Sequence, residues 1–344
     1  VSREEAPAHG GRGDTGPHLG ETACLVSGIN GFLGANLAVG SGQAGAAVLG
    51  VDLPDTAARG ERVRAALGAP DLPVVEADLT SPAAWSHAIR ECRPAAIFHM
   101  AGSTGRGSTE RDRSRAVAGN VETTSALLKA LAGLPAAERP VVVYPGSQME
   151  YGLAPPPWSE SAHCRPANPY AEAKLRTTEL LLAAARSGAG RVCVARLPIV
   201  FGPGQAPTMF IPELIRDAMA GAPFRMTEGV QRRRFVHAAD AAGFMIGLAA
   251  ALREGRELPP LLNAPCSQPA SMREVAERIV SIMKRPARLE VGAIPPREGE
   301  LLDAWPDDGA ARALGYSCRI PLDEGLRRTV RWYEANAWFG EDHE

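Results

Sequence analysis

Tyr170 and Lys174 lie four residues apart in the run Asn168-Pro169-Tyr170-Ala171-Glu172-Ala173-Lys174. On a helix that spacing puts a phenol and an ammonium on one face, a little over one turn apart. A cation beside a phenol favours the phenolate, so the pair offers an acid or base from a group whose ordinary pKa is about 10. The spacing alone is common on helical surfaces. It acquires meaning only if the rest of the chain supplies what such a pair would act with.

A second constellation meets that need. The segment Gly28-Ile29-Asn30-Gly31-Phe32-Leu33-Gly34 follows the apolar run Ala23–Ser27 and opens a helix-like stretch from about Phe32. Glycines there let backbone approach a pyrophosphate, and the helix N-terminus offers unpaired N–H groups and a positive dipole end. Gly28, Asn30, Gly31, Phe32, Leu33 and Gly34 are therefore the expected cofactor turn. Asp52 ends the second apolar run, where a carboxylate accepts hydrogen bonds from adenosine ribose hydroxyls and repels a 2′-phosphate. That favours NAD over NADP, with nearby Arg59 as the one feature pulling the other way. Asp78 and Leu79 end a third run, placed either to hold an adenine ring or to cap the next helix. His99-Met100-Ala101-Gly102 ends a fourth; Met100, Ala101 and Gly102 would let a dinucleotide pass close by. His99 reads as a hydrogen-bonded core residue.

The elements that must position these residues are legible as alternation. Short apolar runs at 23–27, 48–52, 74–78, 95–99, 141–144 and 192–195 alternate with helical stretches at 82–92, 116–133 and 169–187. Continuously apolar strands separated by helices imply a parallel sheet covered on both faces, the doubly wound α/β (Rossmann) fold. After about Gly202 the alternation stops; helices at 210–220, 238–252 and 271–284 alternate with Pro- and Gly-rich loops. The expected organisation is a leader at 1–20 and a Rossmann domain at 21–202, to which 236–262 returns. A smaller substrate-binding lobe then comprises 203–235 and 263–340.

Bulk properties exclude several functions. A chain of 344 residues with net charge −2 has no electrostatic case for nucleic acid or an anionic membrane as principal partner. Arg232-Arg233-Arg234 is too short for a binding tract and suits a local anion. Six scattered cysteines, with no Cys-x-x-Cys, argue against zinc and against a disulfide framework, so no metal site is expected and a reducing, cytoplasmic setting is the simple reading. No apolar run is long enough to span a bilayer. Residues 1–20 lack the apolar core of a signal peptide.

With these pieces in order, the chain resembles the extended short-chain dehydrogenase/reductase family, in its NAD-dependent epimerase/dehydratase branch acting on nucleotide sugars. The resemblance covers about residues 22–335. It rests on the Gly28/Gly31/Gly34 turn, Asp78-Leu79, His99–Gly102, Asn120 opening a helix, and Gly146-Ser147 through Tyr151-Gly152. Beyond these come Pro169-Tyr170 with Lys174, Phe201-Gly202-Pro203-Gly204-Gln205, Arg233–His237 with Asp240, Asn263, and the Leu314-Gly315-Tyr316 … Trp332 ending. It implies that Tyr170 is the acid/base at a sugar oxygen and that Lys174 holds the nicotinamide ribose. Ser147 would hydrogen-bond the same substrate oxygen. Asn120 and Pro198 would line the cofactor, Gln148 would face the substrate, and Arg233 and Arg297 would clamp its diphosphate. It also implies a homodimer through the 120–133 and 168–187 helices.

Two departures narrow the function. Dehydratases of this branch carry Asp-Glu where this chain has Gln148-Met149, so a 4,6-dehydratase is disfavoured. Glu150-Tyr151-Gly152 is similar to the pattern of some deoxysugar 4-ketoreductases. Ile199 stands where many members have a substrate-contacting asparagine. The expected function is an NAD-dependent nucleotide-sugar epimerase working at C4 through a transient 4-keto sugar. The alternative is an NAD(P)H-dependent 4-ketoreductase. A non-catalytic dinucleotide sensor would be expected to have lost Tyr170 and Lys174.

Overall fold

The computed structural model describes residues 19–105, 107, 109–284, 287–296 and 300–340. The six expected strands form as β1 (Ala23–Ser27), β2 (Ala47–Asp52), β3 (Val74–Glu76), β4 (Ala96–His99), β5 (Val141–Ser147) and β6 (Val192–Leu197). They pair in parallel in the order β6-β5-β4-β1-β2-β3, and a seventh strand, Leu261–Asn263, adds to β6. Because β1 is flanked by β2 on one side and β4 on the other, connections leave it in opposite directions. Its C-terminal edge is the crevice where open α/β sheets bind ligands.

Both faces are covered, as unbroken apolar strands require. On one face the helix Phe32–Gln43 and the helix Ala238–Arg253 pack on each other and on the sheet through Leu37, Ala38, Met245 and Leu248. On the other, Trp85, Leu127 and Leu181 come from helices Pro82–Cys92, Thr123–Ala132 and Pro169–Arg186. Trp85 is fully buried, and its indole N–H donates to the carbonyls of Leu79 and Thr123. A third core gathers the helices Phe210–Ala220, Met272–Met283 and Leu322–Ala335, where Ile215, Ile279 and Leu326 meet Trp332, Tyr333 and Phe339.

Two expectations need correction. The alternation expected to end near Gly202 resumes once, within the segment 236–262 assigned to this domain: helix Ala238–Arg253 packs on the sheet and is followed by the seventh strand, which is too short to stand out in the sequence. The single helix expected over 116–133 begins earlier, at Glu110, where Thr109 and Asp112 form a reciprocal cap. It passes through a π-helical turn at Val117–Glu122, so Asn120 lies inside a helix and does not open one. The cause is local. A Cβ on Gly119 would lie 2.8 Å from Ser103 N, so the loop after β4 presses on this turn, and Asn120 Nδ2 ties it to the carbonyls of Ser103 and Ala116.

Candidate active site

The dinucleotide turn is built by close approach. Gly28 has φ +67°, and a Cβ there would lie 2.6 Å from Ala101 N and 2.8 Å from Met100 C. A Cβ on Gly34 would lie 2.0 Å from Gly28 O. Only glycine lets turn, helix and the end of β4 converge in this way. Ser27, which sequence reasoning passed over, pins the same spot: its Oγ accepts from Ala101 N at 3.1 Å and bonds His99 Nδ1 at 2.9 Å. His99 Nε2 meets Thr124 Oγ1. Burial, then the charge of Lys174, pushes the imidazole down to about 3, so His99 is a neutral, bonded core residue as expected.

At the end of β2, Asp52 Oδ2 accepts from Asn30 N at 2.7 Å and Oδ1 from Leu53 N at 2.8 Å. Burial raises its pKa and these two N–H groups work against the rise. Arg59 has its guanidinium over the Phe339 ring at 4.8 Å. The cation beside the turn is instead Arg64, almost fully buried and donating to Asn30 Oδ1. Asp78 accepts from Thr80 N and Oγ1, while Ser81 is the N-cap of the following helix and Leu79 packs into the core beneath. Phe32 and Leu33 start the first helix, and Leu33 packs on the core of that face.

Tyr170 and Lys174 sit at the start of the helix Pro169–Arg186. The sequence dictates that start: Asn168 Oδ1 accepts from Ala171 N at 2.9 Å, and Pro169 takes the first helical position, where its missing N–H costs nothing. The helix packs on β5 and on the Gln148–Glu150 turn. Lys174 is buried, donates to Pro145 O at 2.9 Å and lies 4.4 Å from the Tyr144 ring centroid. Burial lowers its pKa to about 8, against the opposing charge of Glu150. Burial, Glu150 and Tyr170 together hold the Tyr144 phenol well above its ordinary range. A Cβ on Gly102 would meet Asn120 Oδ1 at 2.6 Å and Lys174 Nζ at 3.9 Å, so the end of β4, the π turn and the lysine converge. Asn120 Oδ1 is buried with no protein partner, an acceptor waiting for a donor.

Ser147 ends β5. Its Oγ accepts from Met149 N at 3.2 Å, and Glu150 Oε1 accepts from Ser147 N at 2.7 Å. Glu150 is wholly buried and Arg196 Nε, also buried, donates to its Oε2 at 2.7 Å. Arg196 also stacks over the ring of Tyr151 at 4.5 Å, and the Tyr151 hydroxyl donates to Asn263 Oδ1 at 2.7 Å. Asn263 Nδ2 in turn donates to the carbonyls of Trp158 and Asp307. This buried network was not assigned from sequence. Its two visible signals were a lone arginine in an otherwise apolar strand and a glutamate three residues after Ser147. Gln148 is buried with Oε1 unpartnered. Pro198 is buried between β6 and the short strand Ile199–Phe201, and Ile199 packs on the third core.

The arginine run is matched by carboxylates: Arg232 with Asp303, Arg233 with Glu300, Arg234 with Asp308. Arg233 also donates to the carbonyls of Arg232 and Leu302, and burial lowers its pKa ahead of the opposing Glu300 and Asp303 charges. Arg297, the second expected phosphate ligand, lies outside the described residues. Among those residues no His, Cys, Asp or Glu group could hold a metal ion, and no helix is long and apolar enough to cross a membrane. The six cysteines are unpaired.

A Gly-lined crevice at the sheet's switch point, with Asp52 at one end and the Tyr170 helix at the other, defines a class. Residues 24–259 match the model of the NAD dependent epimerase/dehydratase family, and the chain belongs to that family, the nucleotide-sugar branch of the extended short-chain dehydrogenases/reductases. It is 25% identical over 320 residues to a UDP-glucuronate 4-epimerase of Thermodesulfobacterium geofontis, covering 91% of this chain and 96% of that one. An Arabidopsis thaliana trifunctional UDP-glucose 4,6-dehydratase/UDP-4-keto-6-deoxy-D-glucose 3,5-epimerase/UDP-4-keto-L-rhamnose-reductase is 27% identical over 184 residues. That match covers 53% of this chain but only 27% of the plant protein, so this chain spans about a quarter of that relative's length. A structure of MoeE5 in complex with UDP-glucose and NAD is similar at TM-score 0.75 and 28% identity, covering 92% of this chain and 99% of that one.

Proposed function

We propose that this chain is an NAD-dependent nucleotide-sugar epimerase that inverts C4 through a transient 4-keto sugar. The observation that carries this reading lies at the end of β5. Gln148 and Met149 follow Ser147, and the one carboxylate of that turn, Glu150, is buried and occupied by Ser147 N–H and Arg196. No acid is left there to protonate a leaving hydroxyl, which argues against elimination and supports oxidation and reduction at a carbinol carbon. The full-length match to a UDP-glucuronate 4-epimerase supports the same reading.

The residues present fit a dinucleotide: the Gly28 cradle that a Cβ would fill, the Asp52 carboxylate, and the unpartnered Asn120 Oδ1. When bound, NAD would accept a hydride from the sugar and return it. The protein's part is to hold and move a proton. Tyr170 takes the hydroxyl proton as the carbinol becomes a ketone and gives it back on reduction. Ser147 Oγ, which accepts from Met149 N, still has its own hydrogen to donate to that sugar oxygen. Lys174, anchored at Pro145 O, keeps two further N–H donors for the ribose and favours the Tyr170 phenolate. Asp52 favours NAD, which suits a cycle that ends with its cofactor unchanged.

The elements around the third core, 203–235 and 263–340, would hold the nucleotide diphosphate, with Arg233 exchanging Glu300 for phosphate. Helices Thr123–Ala132 and Pro169–Arg186 would form the face of a homodimer, which the mass in solution tests. The ketoreductase alternative is favoured by Glu150-Tyr151-Gly152 and by Ile199. Turnover decides between them: conversion of a UDP-sugar by protein carrying its own NAD supports the epimerase, and a strict stoichiometric need for NADPH overturns it.

A further inference from the structure

Two opposite charges are fastened to the same short length of β5. Lys174 Nζ donates to Pro145 O, and Glu150 Oε1 accepts from Ser147 N, two residues along. Between them, Gly146 makes the room: a Cβ there would lie 2.9 Å from Glu150 Oε1 and 3.1 Å from Arg196 Cγ. Glu150 has no exposed surface and Arg196 is 3% exposed, so the pair forms at a considerable desolvation cost. Arg196 keeps NH1 buried without a partner, and its guanidinium lies over the Tyr151 ring. A stability role alone is a poor reason for burying such a pair, since apolar residues of the same volume commonly serve as well or better.

We propose that Glu150 is a positioning residue: clamped by Arg196, its carboxylate fixes the Ser147 end of β5 and sets a buried negative charge on the strand to which Lys174 is anchored. The inference rests on the reading of Lys174 as a working cation. The groups that bear on Lys174 are few. Tyr144 on β5 lies under the ammonium as a neutral phenol, and His99 on β4 is held neutral. Tyr170 shares its helix, and Asn120 from the π turn is uncharged. Glu150 is the anion that opposes the burial of Lys174. Glu150 itself meets Arg196 from β6, with Cys164 and Tyr144 nearby.

The chain has three lysines, Lys129, Lys174 and Lys284, so 13C labelling at the lysine Cε gives three resonances to assign. In cofactor-free wild-type protein the Lys174 resonance should titrate near pH 8. In Glu150→Gln the midpoint should fall by about half a unit or more, and the alkaline limb of turnover should move down with it. Because Glu150→Gln leaves Arg196 buried without its carboxylate, the double variant Glu150→Gln/Arg196→Gln serves as the decisive one: it keeps an amide pair and removes both charges. A lowered Lys174 midpoint in either folded variant supports the proposal. An unchanged midpoint in every variant that folds, or failure of both variants to fold, shows the pair to be scaffolding and overturns it. The titration needs neither cofactor nor substrate, so a chain that converted no nucleotide sugar would sink the epimerase reading without deciding this one.

Discussion

Replacing Gly28 with alanine should cost the protein both stability and dinucleotide affinity, and Gly221 supplies the scale. The two glycines share a left-handed φ, +67° and +68°. An alanine in that left-handed region costs about 1–2 kcal/mol wherever it is placed. At Gly221, just past the helix Phe210–Ala220, a new Cβ meets nothing within 4 Å, so Gly221→Ala should cost that amount alone. At Gly28 the same Cβ would sit 2.6 Å from Ala101 N, 2.7 Å from Ala101 Cα and 2.8 Å from Met100 C. These are backbone atoms of the strand end and cannot rotate aside. Overpacking of this kind adds about 1–3 kcal/mol. Relief requires the turn to lift away from β4, along the path a pyrophosphate would take, so NAD affinity should fall at least about tenfold, or 1.4 kcal/mol. Urea denaturation of both variants, with NAD titration calorimetry, measures both effects. Equal stability of Gly28→Ala and Gly221→Ala, with NAD affinity as in the wild type, would refute the close-approach reasoning.

Other outcomes follow from the same geometry. Tyr170→Phe should lower turnover by about 10²–10⁴-fold while NAD stays bound; retained turnover in a steady-state assay would remove Tyr170 from proton transfer. Tyr151→Phe strips the buried Asn263 Oδ1 of its donor and should cost about 1–3 kcal/mol in a denaturant titration, with no cost if the bond is dispensable. Lys174 has a folded pKa of about 8, below its unfolded value of 10.5, so between those values the unfolded chain binds more protons and stability rises with pH. Activity that needs the ammonium should fall over the same window. Thermal melts that weaken as activity falls there would contradict that assignment. His237, pushed down to about 4 by burial and then by Arg328, should withdraw stability as pH falls from about 6.5 towards 4, and His237→Gln should flatten that slope.

Much of the fold was legible because the central sheet strands are short, largely apolar runs bounded by turn residues, and burial on both faces demands that pattern. The start of the Tyr170 helix was legible for a local reason too, an asparagine cap followed by proline. What escaped the sequence was set by long-range contact. The strand Leu261–Asn263 exists because β6 offers an open edge, and nothing in three residues announces it. The π turn at Val117–Glu122 arises because Ser103 crowds Gly119. The cofactor end held a different cation from the one expected: Arg59 is drawn to Phe339 and Arg64 is drawn to Asn30, and a helix with arginines at 59, 62 and 64 set among alanines gives no way to choose between them. The Glu150–Arg196 pair is separated by 46 residues, so only its oddities of type could hint at it.

The central claim, a redox-neutral epimerisation with Tyr170 moving the proton, is tested most directly by one incubation. Purified protein, shown by native mass spectrometry to carry NAD, is given UDP-glucuronate with no added cofactor and followed by proton NMR. The account predicts many turnovers to a mixture of C4 epimers in the wild type and none in Tyr170→Phe. A wild-type protein that converts no UDP-sugar until NADPH is supplied, and then consumes it mole for mole, would contradict it.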